Sequence, residues 1–285
     1  MRLLEQLPAP DAAIARHGGW HARLSLGFAD DRGTTRLVER SHFGPLRVQK
    51  PLYPEQPAVC HAIVVHPPGG VVGGDQLAIA ATVGDGAHAF VTTPGAGKWY
   101  RANGHVSEQQ VRLDIGAGAT LEWLPQETIF FNGADVRLDT EVSMAADASF
   151  ITSDILCFGR TASGERFDQG RVSQRLQVRR GGRLAWFEQG ALSGGAGLEG
   201  ALALGGRTVC ATLLAIGRQA PAACVQALRE ETCAGFGVTQ MRSVLVARYI
   251  GDSSQEARRL MHKAWRILRP ALLEREPVTP RIWHT

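Results

Sequence analysis

The side chains in this 285-residue chain best suited to chemistry are a set of carboxylates. Asp75, Glu127, Asp154, Glu165, Asp168 and Glu188 are the candidates. Two of them about 5–10 Å apart would make a glycosidase-like acid/base pair, although sequence gives no separations. The same oxygens, gathered weakly, would suit passing divalent metal ions. Other catalytic sets do not assemble. There is no GxSxG elbow and no HExxH pair. His61 and His66 stand five residues apart, so an extended strand turns them to opposite faces and joint metal ligation by these two is not expected. Lys98 and the cysteines lack an identified base.

The densest pattern is His66-Pro67-Pro68-Gly69-Gly70-Val71-Val72-Gly73-Gly74-Asp75. It lies between the strand-like runs Ala62–Val65 and Leu77–Ala80. Two prolines keep helix and central ladder out of the segment, while four glycines admit close approach by backbone or ligand. A phosphate cradle is a weak match, because a dinucleotide fingerprint opens a helix and a P-loop continues into Lys-Ser/Thr. A turn crowded by packing explains the same residues.

Hydrophobic residues at 44% and charged residues at 20% describe a globular chain able to bury a sizeable core. The 33 glycines recur at turn spacing, which favours many short strands. A net charge of +4 without a basic run argues against nucleic acid. No apolar stretch would span a bilayer, and Glu5, Pro8, Pro10 and Asp11 interrupt any secretory apolar region, so a cytoplasmic location is expected. Cys60, Cys157, Cys210, Cys224 and Cys233 form no CxxC pair and are read as free, buried thiols.

Elements that could position the acids follow from a faint repeat. Residues 1–19 read as a lead-in, and alternation from Trp20 to Phe28 marks a half-exposed strand. Val83–Thr92, Ile115–Leu124, Met144–Ser153 and, more loosely, Val178–Phe187 each show a small-residue turn followed by a strand. Such units stack, so a layered β-solenoid or helical sandwich is expected, with chance likeness among glycine-rich turns as the competing explanation. Stacking would superpose Thr93-Pro94, Pro125-Gln126-Glu127, Ser153-Asp154 and Phe187-Glu188-Gln189, bringing the acids into one column. Buried acids need cations, water or metal, and Arg101, Arg160 and Arg175 could pair with them. Towards the C-terminus, Pro221 to Cys233 reads as one helix and Ser253-Ser254-Gln255-Glu256 as a capping box opening a second. Ala257, Leu260, Met261, Ala264, Trp265 and Leu268 give this second helix an apolar stripe, and Pro270 marks its expected end.

Several motifs in this order resemble the urease accessory protein UreD (UreH) family along nearly the whole chain. They are His66-Pro67-Pro68-Gly69-Gly70 with Gly73-Gly74-Asp75, Thr92-Thr93-Pro94-Gly95-Ala96, Leu121–Glu127, Cys157-Phe158-Gly159-Arg160 with Gly164-Glu165, and Pro280-Arg281-Ile282-Trp283. Gly97, and Thr152-Ser153 before Asp154, depart from the family's commoner residues. The resemblance implies one domain over 1–285, mainly β, of stacked sheets with β-helix-like repeats. Its scaffold would cover about 20–216 and 238–250, with a C-terminal helical pair over about 221–234 and 254–269. It also implies a non-enzymatic protein that bridges apo-urease to UreF and the GTPase UreG and helps Ni²⁺ reach the urease active site. No cofactor would be tightly bound; Ni²⁺ would pass transiently through an internal passage, with Asp75, Glu127, Asp154, Glu165 and Glu188 as candidate lining. Glu188 rests on the repeat alone. A hydrolase using two of these acids and a pure docking scaffold are the alternatives.

Overall fold

Burial along Gln76–Val83 alternates, with Leu77, Ala81 and Val83 among the inward positions, and this period of two sets the architecture. The computed structural model describes residues 19–284; most of the lead-in, with Glu5, Pro8, Pro10 and Asp11, lies outside the described residues. The strand β1 (His21–Asp31) forms a hairpin with β2 (Thr34–Phe43). Two residues of β3 (Arg47–Val48) pair with β4 (Val59–Val65). From β5 (Gln76–Val83) the chain coils between two sheets. It passes to β6 (His88–Thr92), along a third side as β7 (Gly97–Trp99), and returns as β8 (Ser107–Ile115). The next coil is β9 (Thr120–Leu124), β10 (Thr128–Phe130) and β11 (Asp135–Met144), and the last is β12 (Ser149–Phe158) leading to β13 (Arg171–Arg180). Successive coils pair in parallel on all three sides.

The sequence repeat is the register of these coils for its first three members. Val83 lies opposite Ile115, and Ile115 opposite Met144. Small residues are needed at the turns because the turns themselves stack. Thr120 N donates to Ala87 O and Ser149 N to Ala119 O, each at 2.9 Å, and Ala87, Ala119 and Ala148 are buried. The fourth member departs: Arg180, not Val178, faces Met144, and the chain folds back as the antiparallel strand β14 (Arg183–Ser193). Gly181 and Gly182 both adopt positive φ, at 55° and 76°, as a two-residue hairpin turn demands. The turns of the first three repeat members carry no such pair.

Coiling builds a seven-stranded sheet in the order β14-β13-β11-β8-β5-β1-β2. The facing sheet holds β12, β9, β6, β4 and β3, extended past β12 by β15 (Val209–Ile216), β17 (Val244–Gly251) and β16 (Phe236–Met241). The expected strand over 238–250 is therefore a hairpin, turning at Arg242 with φ 50°. A one-turn helix, α1 (Ala196–Glu199), sits between β14 and β15.

Two cores result. One fills the space between the sheets. The other lies on the outer face of the second sheet, beneath α3 (Ser254–Leu273) and beside α2 (Ala222–Arg229). All six expected stripe residues of α3 are buried, and Ser253 Oγ accepts from Glu256 N at 3.1 Å. Two boundaries differ from expectation. α2 stops at Arg229, because a turn at 230–235 must feed β16. α3 continues through Pro270 to Leu273: proline removes one donor in the final turn, while buried Arg269 and Leu272 hold that turn down. All five cysteines are free, with Cys60 and Cys157 buried. No helix among the described residues is long and apolar enough to cross a membrane.

Candidate functional site

Alternation along β12 turns Thr152, Asp154 and Leu156 into the inter-sheet space and Ile151, Ile155 and Cys157 towards α3. Asp154 is thereby set between two cavities. One, of about 110 Å³, is lined by Glu127 with Trp99, Trp123, Gln109 and Thr140. The other, of about 290 Å³, is lined by Glu188, Arg248 and Cys210. Asp154, Leu156 and Gln174 line both and form their common wall. Gln174, reaching across from β13, donates to Asp154 Oδ2 at 3.1 Å.

The three carboxylates differ in their surroundings. Arg258 of α3 grips Glu127 with two bonds, Nε to Oε1 at 2.6 Å and Nη2 to Oε2 at 2.5 Å. Arg248 of β17 lies 2.8 Å from Glu188 Oε1. Asp154 is hydrogen-bonded only by the neutral amide of Gln174 among the described side chains. Burial, and then the charge of Glu188, push its carboxyl up to about 6. Cys210 beside it is pushed up to about 12, chiefly by burial, and stays a thiol. A raised carboxyl near an ionised one can move protons, but Arg248 already claims the second acid. Among the described residues no group of three or more His, Cys, Asp and Glu is placed to hold a metal ion. The cavities thus offer scattered oxygens rather than a gathered ligand set.

The stacking argument locates Thr93, Pro125 and Ser153 correctly, since Thr92 pairs with Leu124 and Trp123 with Thr152. Glu188 reaches the interior by another route, on the fold-back strand opposite Leu176. The other three candidates lie apart from these cavities. Asp75 accepts from Trp20 N at 2.8 Å and Val72 N at 3.0 Å, fastening the glycine loop. Glu165 pairs with Arg160 at 2.7 Å on the surface. Asp168 faces Arg166 at 3.6 Å, also on the surface. Of the expected cations, Arg175 binds Asp139 and Glu141, and Arg101 packs on Gly133. The arginines that reach the cavity acids come instead from β17 and α3, far along the chain.

The glycine loop is dense. A Cβ on Gly73 would lie 1.8 Å from Ala102 O, and one on Gly70 would lie 2.8 Å from Lys98 O. Val71 N donates to Lys98 O and Tyr100 Oη to Gly69 O. Pro67 and Pro68 lead the chain out of β4 into this turn, and Gly74 takes φ 90°. The amides of Val71, Val72 and Asp75 are thus spent within the loop. His66 Nε2 is buried there without a partner, and burial lowers the ring's affinity for a proton.

A second polar centre lies on the other face of the same sheet. Glu122, fully buried on β9, receives His88 Nε2 at 2.7 Å, Trp265 Nε1 at 2.6 Å and Arg269 Nε at 3.0 Å. Arg269, equally buried, reaches Glu55 Oε2 at 2.6 Å, and Glu55 meets His61 Nε2 at 2.5 Å. Burial opposes ionisation of Glu122, yet the hydrogen bond from His88 and the charge of Arg269 hold its carboxyl at about 2. Sequence reasoning passed over this cluster. Its signals were a glutamate inside the five-residue strand Thr120–Leu124 and an arginine directly after the apolar stripe of α3.

Comparison with known proteins places this geometry. The profile of the family described as UreD urease accessory protein matches residues 21–284. The urease accessory protein UreD of Janthinobacterium sp. (strain Marseille) is 63% identical over 280 residues, covering 96% of this chain and 95% of that protein. Those of Nitrosospira multiformis and Dechloromonas aromatica are each 51% identical, covering 93% of this chain and 97% and 95% of theirs. The match spans both sheets, the acid-lined cavities and the buried cluster under α3, and on it the chain belongs to the UreD urease accessory protein family.

Proposed function

We propose that this chain acts in urease maturation without itself catalysing a reaction. In this reading it bridges apo-urease to UreF and the GTPase UreG in the cytoplasm, and passes Ni²⁺ as cargo towards the urease active site. The observation supporting a passage is the pair of cavities meeting at Asp154, with Glu127 on one side and Glu188 on the other. Oxygen ligands spread over several weak sites let a cation enter without trapping it. Asp75 and Glu165 serve the loop and the surface in this reading, and the lining is reduced to the other three.

The test is co-expression of the tagged chain with urease genes. Wild type should recover UreF and urease subunits. Glu127→Ala and Asp154→Ala should recover the same complex but leave urease short of nickel by metal analysis. An intact complex with unchanged nickel in every such variant would remove the passage and leave docking alone.

A further inference from the structure

The cavity carboxylates alternate in a way that bears on how a cation could be released as well as held. Glu127 and Glu188, at the two ends, each carry an arginine, whereas Asp154 between them is met by the amide of Gln174. The burial of the partners is unequal. Side-chain exposure is 5% for Glu127 against 39% for Arg258, and 36% for Glu188 against 49% for Arg248. Each arginine therefore lies nearer to solvent than its acid. Such a guanidinium leaves at little cost, because water takes up its charge, whereas the acid it leaves stays within the wall.

We infer that Arg248 and Arg258 are ionic latches that occupy Glu188 and Glu127 when no divalent cation is present and reclaim them once the cation has moved on. This rests on the proposed passage and specifies its selectivity and direction of release. A monovalent ion gains too little from one carboxylate to displace a paired guanidinium, whereas a divalent ion has twice the charge. The returning arginine neutralises the acid behind the departing ion and prevents tight retention. Arg248 and Arg258 are positioning residues in this scheme; neither touches the cargo.

Titration of the full-length chain with NiCl2 tests the latches directly. Arg248→Gln and Arg258→Gln should each tighten Ni²⁺ binding by roughly three- to tenfold, the strength of a half-exposed ion pair. Adding Glu188→Gln to Arg248→Gln should abolish that gain. In co-expression, the tighter-binding arginine variants should deliver nickel to urease more slowly than wild type. Arg258 also anchors α3, so Arg248→Gln, half exposed on β17, carries the test if the other variant misfolds. Wild-type Ni²⁺ affinity in folded Arg248→Gln, or a gain that survives Glu188→Gln, overturns the latch. That failure is separable from failure of the passage, which is read from urease nickel content in Glu127→Ala and Asp154→Ala with both arginines intact.

Discussion

Arg269 and Glu122, 147 residues apart in the chain, meet at 3.0 Å with both side chains wholly removed from solvent. The pair joins α3 to the second sheet, and Trp265 and His88 complete the ring of donors around the carboxylate. Removing Arg269 leaves Glu122 and Glu55 without their cation in an apolar layer, and removing Glu122 leaves Arg269 with Glu55 alone and two donors without an acceptor. Arg269→Met should cost about 3–5 kcal/mol in urea unfolding, and Glu122→Leu should cost a similar amount. Both changes together should cost less than the sum of the two, because neither charge is then stranded.

Acid should weaken the fold in two steps of opposite physical origin. Burial and nearby Arg258 push His262, stacked on Trp283, down to about 4 from 6.5. Between those values the unfolded chain takes a proton that the folded one refuses, so stability falls by about 2 kcal/mol as pH drops. His262→Phe should flatten that limb. Glu122, depressed to about 2 from 4.5, contributes stability that is complete above 4.5 and lost as pH falls towards 2. Unfolding free energies of wild type and His262→Phe, measured from pH 7 to pH 2, resolve the two ranges.

Asp154 should behave in the reverse sense. Its carboxyl is raised to about 6 from 3.8, so the folded chain binds the proton more tightly and gains stability as pH falls between those values. Asp154→Asn should therefore stabilise the protein at neutral pH by about 1–2 kcal/mol and remove that pH dependence. A variant that melts earlier than wild type at pH 7 would refute the assignment.

Gly73→Ala should be severe despite its small size. The added carbon meets Ala102 O, a backbone atom that cannot rotate aside. A loss of about 2–4 kcal/mol is expected in thermal or urea unfolding. Gly86→Ala provides a comparison, since nothing lies within 4 Å of its new carbon and only its φ of 71° is strained. The loss there should be near 1 kcal/mol.

Much of the fold was legible because its period is local. Small turns recurring before strands gave the coil register from Val83 through Met144, and the α3 stripe was readable at three-and-four spacing. The fold-back after Arg180 was missed because Gly181-Gly182 resembles the earlier repeat turns in composition and differs from them in having two adjacent positive φ angles. The site was less legible. Glu127 and Asp154 lie near strand ends that the repeat aligns, whereas Arg248 and Arg258 are brought in by strands and a helix added after coiling stops. Glu122 was hidden inside an apolar strand, and its meaning depends on a residue 147 positions away.

That separation bears on synthesis. The strand bearing Glu122 leaves the ribosome long before the residues that neutralise it, so the nascent coils must wait with a carboxylate and an apolar face uncovered. Completion of the chain, rather than completion of the coils, is then the moment at which the molecule closes. Messages truncated before Arg269 should yield products that aggregate, although every coil is present in them.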